Sequence, residues 1–239
     1  LEIRPNYAPA AYNLGTLFEA MGELDKALPS YEAALRFEPG FVQAALNLGR
    51  LLLELNRPDK SRDLLEQIVA ALPEQLDAWI LLGNAWEELN QPDKAQICYE
   101  TAHNLSPTHE GVRYNLAYLA QSQGALEEAK LAYLQLLQDK PDMPEAHFSL
   151  AHIYLAQANF EAGWSEYEWR WKLPNSPGLP LLSQSQLWQG QDLSGKTILV
   201  LPEQGFGDQI QFVRYLSLLK QKKAADTVIF ACSDALGPL

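Results

Sequence analysis

The chain reads as mainly α. An α-solenoid of stacked helical hairpins fills most of its length, and a partial α/β (β-α-β) segment comes after it. Three observations predict this. Leu14, Leu48, Leu82, Leu116 and Leu150 recur every 34 residues, and self-similarity at such a period marks stacked two-helix units. Small residues follow these leucines at Gly15, Gly49, Gly83, Ala117 and Ala151, and Pro39, Pro73, Pro107 and Pro141 close the first four units. Proline ends a helix because it has no N–H and its ring clashes with the preceding turn. Past residue 195 the period stops, and the apolar runs 198–201 and 227–232 take over, as in parallel strands buried on both faces.

The stretch 79–107 shows one unit in full. Trp79, Leu82, Gly83 and Trp86 fall on a first helix, and Ala95, Tyr99 and Ala102 fall on a second, which Pro107 ends. The small residues let two backbones approach closely, and the large ones fill the groove of the next unit. Period and pattern resemble the tetratricopeptide repeat (TPR). The resemblance implies a TPR α-solenoid, a right-handed superhelix of hairpins. Repeats are expected near 8–41, 42–75, 76–109, 110–143 and 144–171, giving an array over 1–171, a linker over 172–195 and the partial α/β unit over 196–239. The turns Gly22-Glu23, Asn56-Arg57-Pro58, Asn90-Gln91-Pro92 and Gly124-Ala125 separate the helices of each pair. Asp25, Asp59, Asp93 and Glu127 open the second helices, where a carboxylate suits the positive end of the helix dipole. Pro5 would close an earlier repeat, so the chain is expected to be a piece of a longer protein.

The balance of charge narrows the function. The 239 residues carry a formal net charge of −12 and a pI of about 4.8. Nucleic acid and anionic membranes attract basic surfaces, so neither is expected as a partner. No apolar run approaches the roughly 20 residues of a membrane span, and no signal-peptide pattern opens the chain. Cys98 and Cys232 lie in unlike segments and read as small buried hydrophobes in a reducing compartment. A cytoplasmic location follows as an expectation. His103, His109, His147 and His152 lack the spacing of metal ligands, and neither a metal nor a cofactor is expected.

In TPR arrays fixed positions of the first helices line a concave face. Mapped here they are Tyr12, Asn13, Thr16 and Glu19; Gln43, Leu46, Asn47 and Arg50; Asp77, Ile80, Asn84 and Glu87; Tyr114, Asn115, Tyr118 and Gln121; Glu145, Phe148, His152 and Leu155. From these, Tyr12, Asn13, Asn47, Arg50, Asn84, Tyr114, Asn115, Tyr118 and His152 form the expected groove for a protein or peptide. Asn13, Asn47 and Asn115 hold one position in three repeats. An amide carries a donor and an acceptor and so suits an extended backbone of any sequence, an arrangement that resembles the asparagine ladder of O-GlcNAc transferases. Leu81 and Ser149 interrupt it. The same amides equally suit capping or bridging of adjacent helices.

The fifth repeat ends in Trp164, Tyr167, Trp169 and Trp171, which read as a cap for the array or, in preference, a docking face for the segment beyond it. A connector rich in Pro, Ser, Gln and Leu spans 172–191. The stretch 190–197 satisfies the P-loop expression G-x-x-x-x-G-K-[ST], but a P-loop needs a strand before it and a helix after it. Here the strand comes after, so the stretch reads as a turn. Gly205-Phe206-Gly207-Asp208 reads as a loop, and Ile210, Phe212, Val213, Leu216 and Leu219 as one helix. Ile210 stands where a dinucleotide fingerprint needs its third glycine. Amides at that helix start would still suit an anion, and Asp208 reads as an N-cap or a catalytic carboxylate. Ser233 or Asp234 would cap a further helix.

Gly163-Trp164 with Tyr167-Glu168-Trp169-Arg170-Trp171, then Trp188-Gln189-Gly190, Leu193-Ser194-Gly195-Lys196 and Glu203-Gln204-Gly205-Phe206-Gly207-Asp208 with Gln211-Phe212-Val213-Arg214-Tyr215, resemble the junction of bacterial TPR proteins joined to a heptosyltransferase- or O-GlcNAc-transferase-like glycosyltransferase domain. The resemblance implies a Rossmann-like segment, Asp208 as acceptor base, and Gly205, Phe206 and Gly207 as an anion or donor loop. The nucleotide-sugar half of such enzymes is missing, so this chain alone is expected to be inert and its parent to be a glycosyltransferase. The rival expectation is a non-enzymatic TPR adaptor with a degenerate α/β cap. Two strands and one helix cannot bury both sheet faces. The bare edge should therefore lean on the aromatic terminal helix or form a homodimer with a second copy.

Overall fold

The computed structural model describes residues 6–174, 176, 188, 190–201, 205–222 and 225–232, without the side chains of Phe206, Asp208 and Lys222. The chain divides into two compact units, Leu1–Gly178 and Leu179–Leu239.

The first unit is a mainly helical solenoid of five antiparallel pairs. They are α1 (Ala8–Ala20) with α2 (Leu24–Phe37), α3 (Val42–Glu54) with α4 (Pro58–Ala71), α5 (Leu76–Glu88) with α6 (Pro92–Leu105), α7 (Glu110–Ser122) with α8 (Leu126–Asp139), and α9 (Pro144–Ala156) with α10 (Phe160–Tyr167). A 3-10 turn, Glu168–Lys172, continues α10. Each second helix packs on the first helix of the next pair, and α3 also touches α5.

Every hairpin turns the same way. Gly22, Asn56, Asn90, Gly124 and Ala158 all have left-handed backbone, with φ of 73°, 55°, 55°, 83° and 59°. At each turn two N–H groups fold back onto the last helical carbonyls, as Gly22 does onto Glu19 and Glu23 onto Phe18. This satisfies acceptors that the helix end leaves open. Glycine adopts this conformation without cost, and asparagine tolerates it. The fifth turn carries no sequence signal because alanine occupies it. The second helices stop where expected, and Glu38, Leu72, Ser106 and Lys140, each before a proline, leave the helical conformation.

The core is a repeated close approach. Ala27, Ser61, Ala95 and Ala129 are fully buried at one position of the second helices. One turn further on, Tyr31 and Tyr99 lie against Gly15 and Gly83, where an added Cβ would sit 2.6 and 2.3 Å from the ring. Leu65 fills the same place against Gly49, and the Ser61 hydroxyl donates to the Gly49 carbonyl at 2.8 Å.

The leucine frame holds with one correction. Leu48, Leu82 and Leu150 are buried and Leu116 is partly buried, whereas Leu14 is 36% exposed. The leucine packs against the second helix of the preceding pair, as Leu48 does with Ala27 and Tyr31 and Leu82 with Leu65. No described helix flanks α1 on that side.

The second unit contains a two-stranded sheet. Strand β1 (Thr197–Val200) pairs in parallel with β2 (Thr227–Phe230), in the register Thr197 to Thr227 and Val200 to Phe230. Between them lie α11 (Phe206–Phe212), a 3-10 turn (Val213–Tyr215) and α12 (Leu216–Lys222). Three expectations need correction. The strands are not buried on both faces: partners Leu199 and Ile229 are 45% and 49% exposed, because among the described residues nothing covers that face. The expected single helix is broken at Val213–Tyr215, where the Arg214 side chain takes the Gln211 carbonyl and the Ser217 hydroxyl takes that of Arg214. Side chains that compete for backbone acceptors weaken a helix. Finally, 205–208 is not a loop. Gly205 is the N-cap and Phe206 to Asp208 form the first turn of α11. The P-loop-like stretch is a turn, with Gly195 at φ 72° just before β1. The further helix at Ser233 or Asp234, and most of the connector, lie outside the described residues.

Ala158 holds a left-handed conformation that glycine holds without strain. Ala158→Gly is therefore expected to raise stability by about 1 kcal/mol, read as a higher urea midpoint with an unchanged slope. A lower midpoint would show that the turn is not under strain.

Candidate functional site

The first helices carry the expected groove residues, and buried side chains of second helices reach the polar groups beneath that wall. The phenols of Tyr31 and Tyr99 pass over Gly15 and Gly83 and meet carboxylates. Tyr31 donates to Glu19, and Tyr99 donates to Glu87 at 2.5 Å with its oxygen 2.7 Å from Asn84 Oδ1. The expected site lacks these tyrosines. A signal for them exists: Tyr31, Tyr99, Tyr133 and Tyr167 share the 34-residue frame, with Leu65 in the second repeat. Only the facing glycine shows that such a ring reaches the far side of the hairpin.

The asparagines bridge repeats. Asn47 Nδ2 lies 3.3 Å from Tyr12 Oη and 3.3 Å from Tyr31 Oη. Asn115 Nδ2 donates to Asn84 Oδ1 at 3.1 Å. In the fifth repeat Ser149 stands at this position, and its hydroxyl meets Tyr114 Oη at 3.1 Å. Asn13, on α1, is exposed. Arg50 pairs with Glu19 of the preceding repeat and with Glu54 of its own helix.

Aromatic residues gather towards the far end. Tyr114 stacks on Tyr118 at 6.2 Å and 20°, and Tyr118 is 46% exposed. His152 meets Phe148 edge-on at 4.4 Å and faces Tyr167 at 6.3 Å. Beyond them His147 lies flat on Trp169 at 3.8 Å, while its Nδ1 meets Glu166 and its Nε2 lies 2.8 Å from the Pro141 carbonyl. Tyr167 and Trp169 thus pack onto α9, and Trp164 remains 56% exposed.

Burial governs the electrostatics. It raises the Glu87 carboxyl above its ordinary range, against the opposing Tyr99 hydrogen bond. Tyr31 and Tyr99 are raised far above the usual phenol range by burial and by their glutamates. Burial also raises Tyr114, opposed by Ser149, with Glu145 and Glu87 adding to it. Partial burial lowers His152, which is exposed overall, and fuller burial pushes the Cys98 thiol up to about 12, so Cys98 is a protonated core residue. No group of three or more metal-ligating side chains occurs among the described residues, and no described helix is long and apolar enough to cross a membrane. In the second unit Gly205, Phe206, Gly207 and Asp208 lie at the start of α11, and the side chains of Phe206 and Asp208 lie outside the described residues.

Comparison with known proteins agrees with this architecture. Tetratricopeptide repeat families match residues 19–79, 76–109 and 114–177. The chain is a TPR protein. It is 30% identical over 152 residues to Protein FlbA of Caulobacter vibrioides, an alignment covering 60% of this chain and 25% of that one. The chain therefore spans about a quarter of the length of that relative. Among solved structures it is similar to a thermophilic TPR protein of Thermus thermophilus, with TM-score 0.60, 22% identity and coverage of 67% and 88%. It is also similar to YrrB, described as a TPR protein with an unusual peptide-binding site, with TM-score 0.53, 21% identity and coverage of 70% and 87%.

A carboxyl whose folded pKa is raised favours the fold most while protonated, and that advantage is lost as pH rises through the raised value. Glu87→Gln removes this loss and keeps an acceptor for Tyr99. The variant should gain stability over the parent as pH rises above the ordinary carboxylate range, seen as urea midpoints that diverge with rising pH. A constant difference would show that Glu87 is not desolvated.

Proposed function

We propose that the chain is a protein-interaction scaffold whose first-helix wall binds an extended segment of a partner protein. The observation that carries this reading is the row of hydrogen-bonding and aromatic side chains on that wall, with Tyr118, His152 and Asn13 at the surface. An array of helical pairs presents such residues at regular intervals, and an extended peptide repeats its backbone groups with a similar regularity. Arg50, Asn84, Tyr114, Asn115, Tyr12 and Asn47 complete the proposed surface, with the repeats assigned near 8–41, 42–75, 76–109, 110–143 and 144–171. YrrB, by its description, binds peptide on the same fold.

A second reading concerns residues 196–239. The parallel pairing of β1 and β2 across two short helices supports the opening β-α-β unit of a Rossmann-like, glycosyltransferase-like domain. The apolar pair Leu199 and Ile229 suits a sheet that continues or is covered in a larger protein. In that protein the array would present a substrate, and Asp208 would act as base beside Gly205, Phe206 and Gly207. A non-enzymatic adaptor with a small α/β cap is the alternative, and a homodimer through the sheet edge or the terminal aromatic helix remains part of either proposal.

A peptide array probed with the chain should yield binders that Asn84→Ala with Tyr118→Ala weakens at least about tenfold. Binding indifferent to these substitutions would place the interaction elsewhere. For the second reading, sugar-nucleotide hydrolysis by the full-length gene product should fall by about two orders of magnitude or more in Asp208→Asn. Equal rates would remove Asp208 from the chemistry.

A further inference from the structure

The repeats contain one internal ion pair that identifies what is lacking two periods later. Glu19 and Glu87 occupy the same position in the first and third repeats. Each accepts a hydrogen bond from the tyrosine of its own hairpin, Tyr31 or Tyr99. Each is faced by the next first helix, which bridges back through Asn47 or Asn115. One turn beyond Asn47 stands Arg50, whose guanidinium pairs with Glu19. One turn beyond Asn115 stands Tyr118, a ring in place of the cation. Among the described residues no cation lies within ion-pair distance of Glu87.

We propose that the third and fourth repeats bind a basic side chain of the partner, held between the Glu87 carboxylate and the stacked rings of Tyr114 and Tyr118. The inference rests on the peptide-binding reading above and names the chemistry of the residue that is bound. Arg50 is its pattern: the first two repeats fill this place with an arginine of their own. In the third and fourth the place is a carboxylate beside two stacked rings, the half-buried Tyr114 and the exposed Tyr118. The face of a tyrosine attracts a cation through its quadrupole, and a carboxylate takes a guanidinium through paired N–H donors. Glu145 adds a second negative charge within electrostatic reach of Tyr114. Arginine suits the place better than lysine because its planar head stacks on the ring while its edge meets the carboxylate.

The test titrates the whole chain with fluorescently labelled decapeptides of varied sequence, each made with a central arginine and again with citrulline. Citrulline keeps the shape and loses the charge. The arginine form of a binding peptide should be about tenfold tighter, and Glu87→Gln should reduce that gap to about twofold or less. Tyr118→Arg should abolish it as well by supplying the cation from within, while melting no lower than the parent. Should that variant fail to fold, Glu87→Gln decides alone. Peptides that bind equally well in both forms, or a gap that survives Glu87→Gln, would overturn the basic-residue site and leave the groove standing. If no peptide binds, the groove and the site fall together.

Discussion

The contact on which the rest depends is a tyrosine ring laid on a glycine. An added Cβ at Gly15 or Gly83 would fall within 2.9 Å of several ring atoms of Tyr31 or Tyr99, closer than carbon atoms tolerate. This contact sets how closely the two helices of a hairpin approach. It also delivers a buried phenol beneath the wall of first helices, where Glu19 or Glu87 accepts its hydrogen bond. The asparagine of the next repeat then bonds back, so one packing choice within a hairpin organises a polar seam between hairpins. Gly49 and Leu65 show the apolar alternative: the ring is absent, and no phenol enters the seam.

Chemistry therefore varies along a geometrically regular wall. The first two repeats are polar and internally satisfied through Arg50. The next junction is lined with Leu46, Leu65 and Leu81. The third and fourth repeats place a desolvated carboxylate beside a half-buried ring and an exposed one, Tyr114 and Tyr118. The array ends in aromatic contacts between α9 and α10. Exposed ion pairs such as Arg62 with Asp59 are screened by solvent and contribute little. Stability rests instead on fully buried side chains; Leu65 and Leu136 each contribute roughly 1.5–3 kcal/mol by burial.

The second unit follows another logic. Its strands pair in parallel, but apolar partners Leu199 and Ile229 face outward. A continuous apolar strand is ordinarily covered on both sides, whereas among the described residues this face is bare.

Much of this was legible in the residues. The 34-residue frame marks the repeating unit, and in the first four pairs the prolines and acidic residues lie at the ends and starts of the second helices, because helix boundaries are set by groups within a few residues of one another. The turns at Gly22, Asn56, Asn90 and Gly124 were legible for the same reason, and Ala158 was hidden because its conformation is imposed by the hairpin. Residue pattern alone establishes the unit and its repetition. It takes the packed array to show that Asn47 and Asn115 reach back to the preceding repeat, that Arg50 neutralises Glu19 and that no described residue does so for Glu87. Such partners lie in different repeats, and their meeting depends on how one hairpin leans on the next, which no local pattern records.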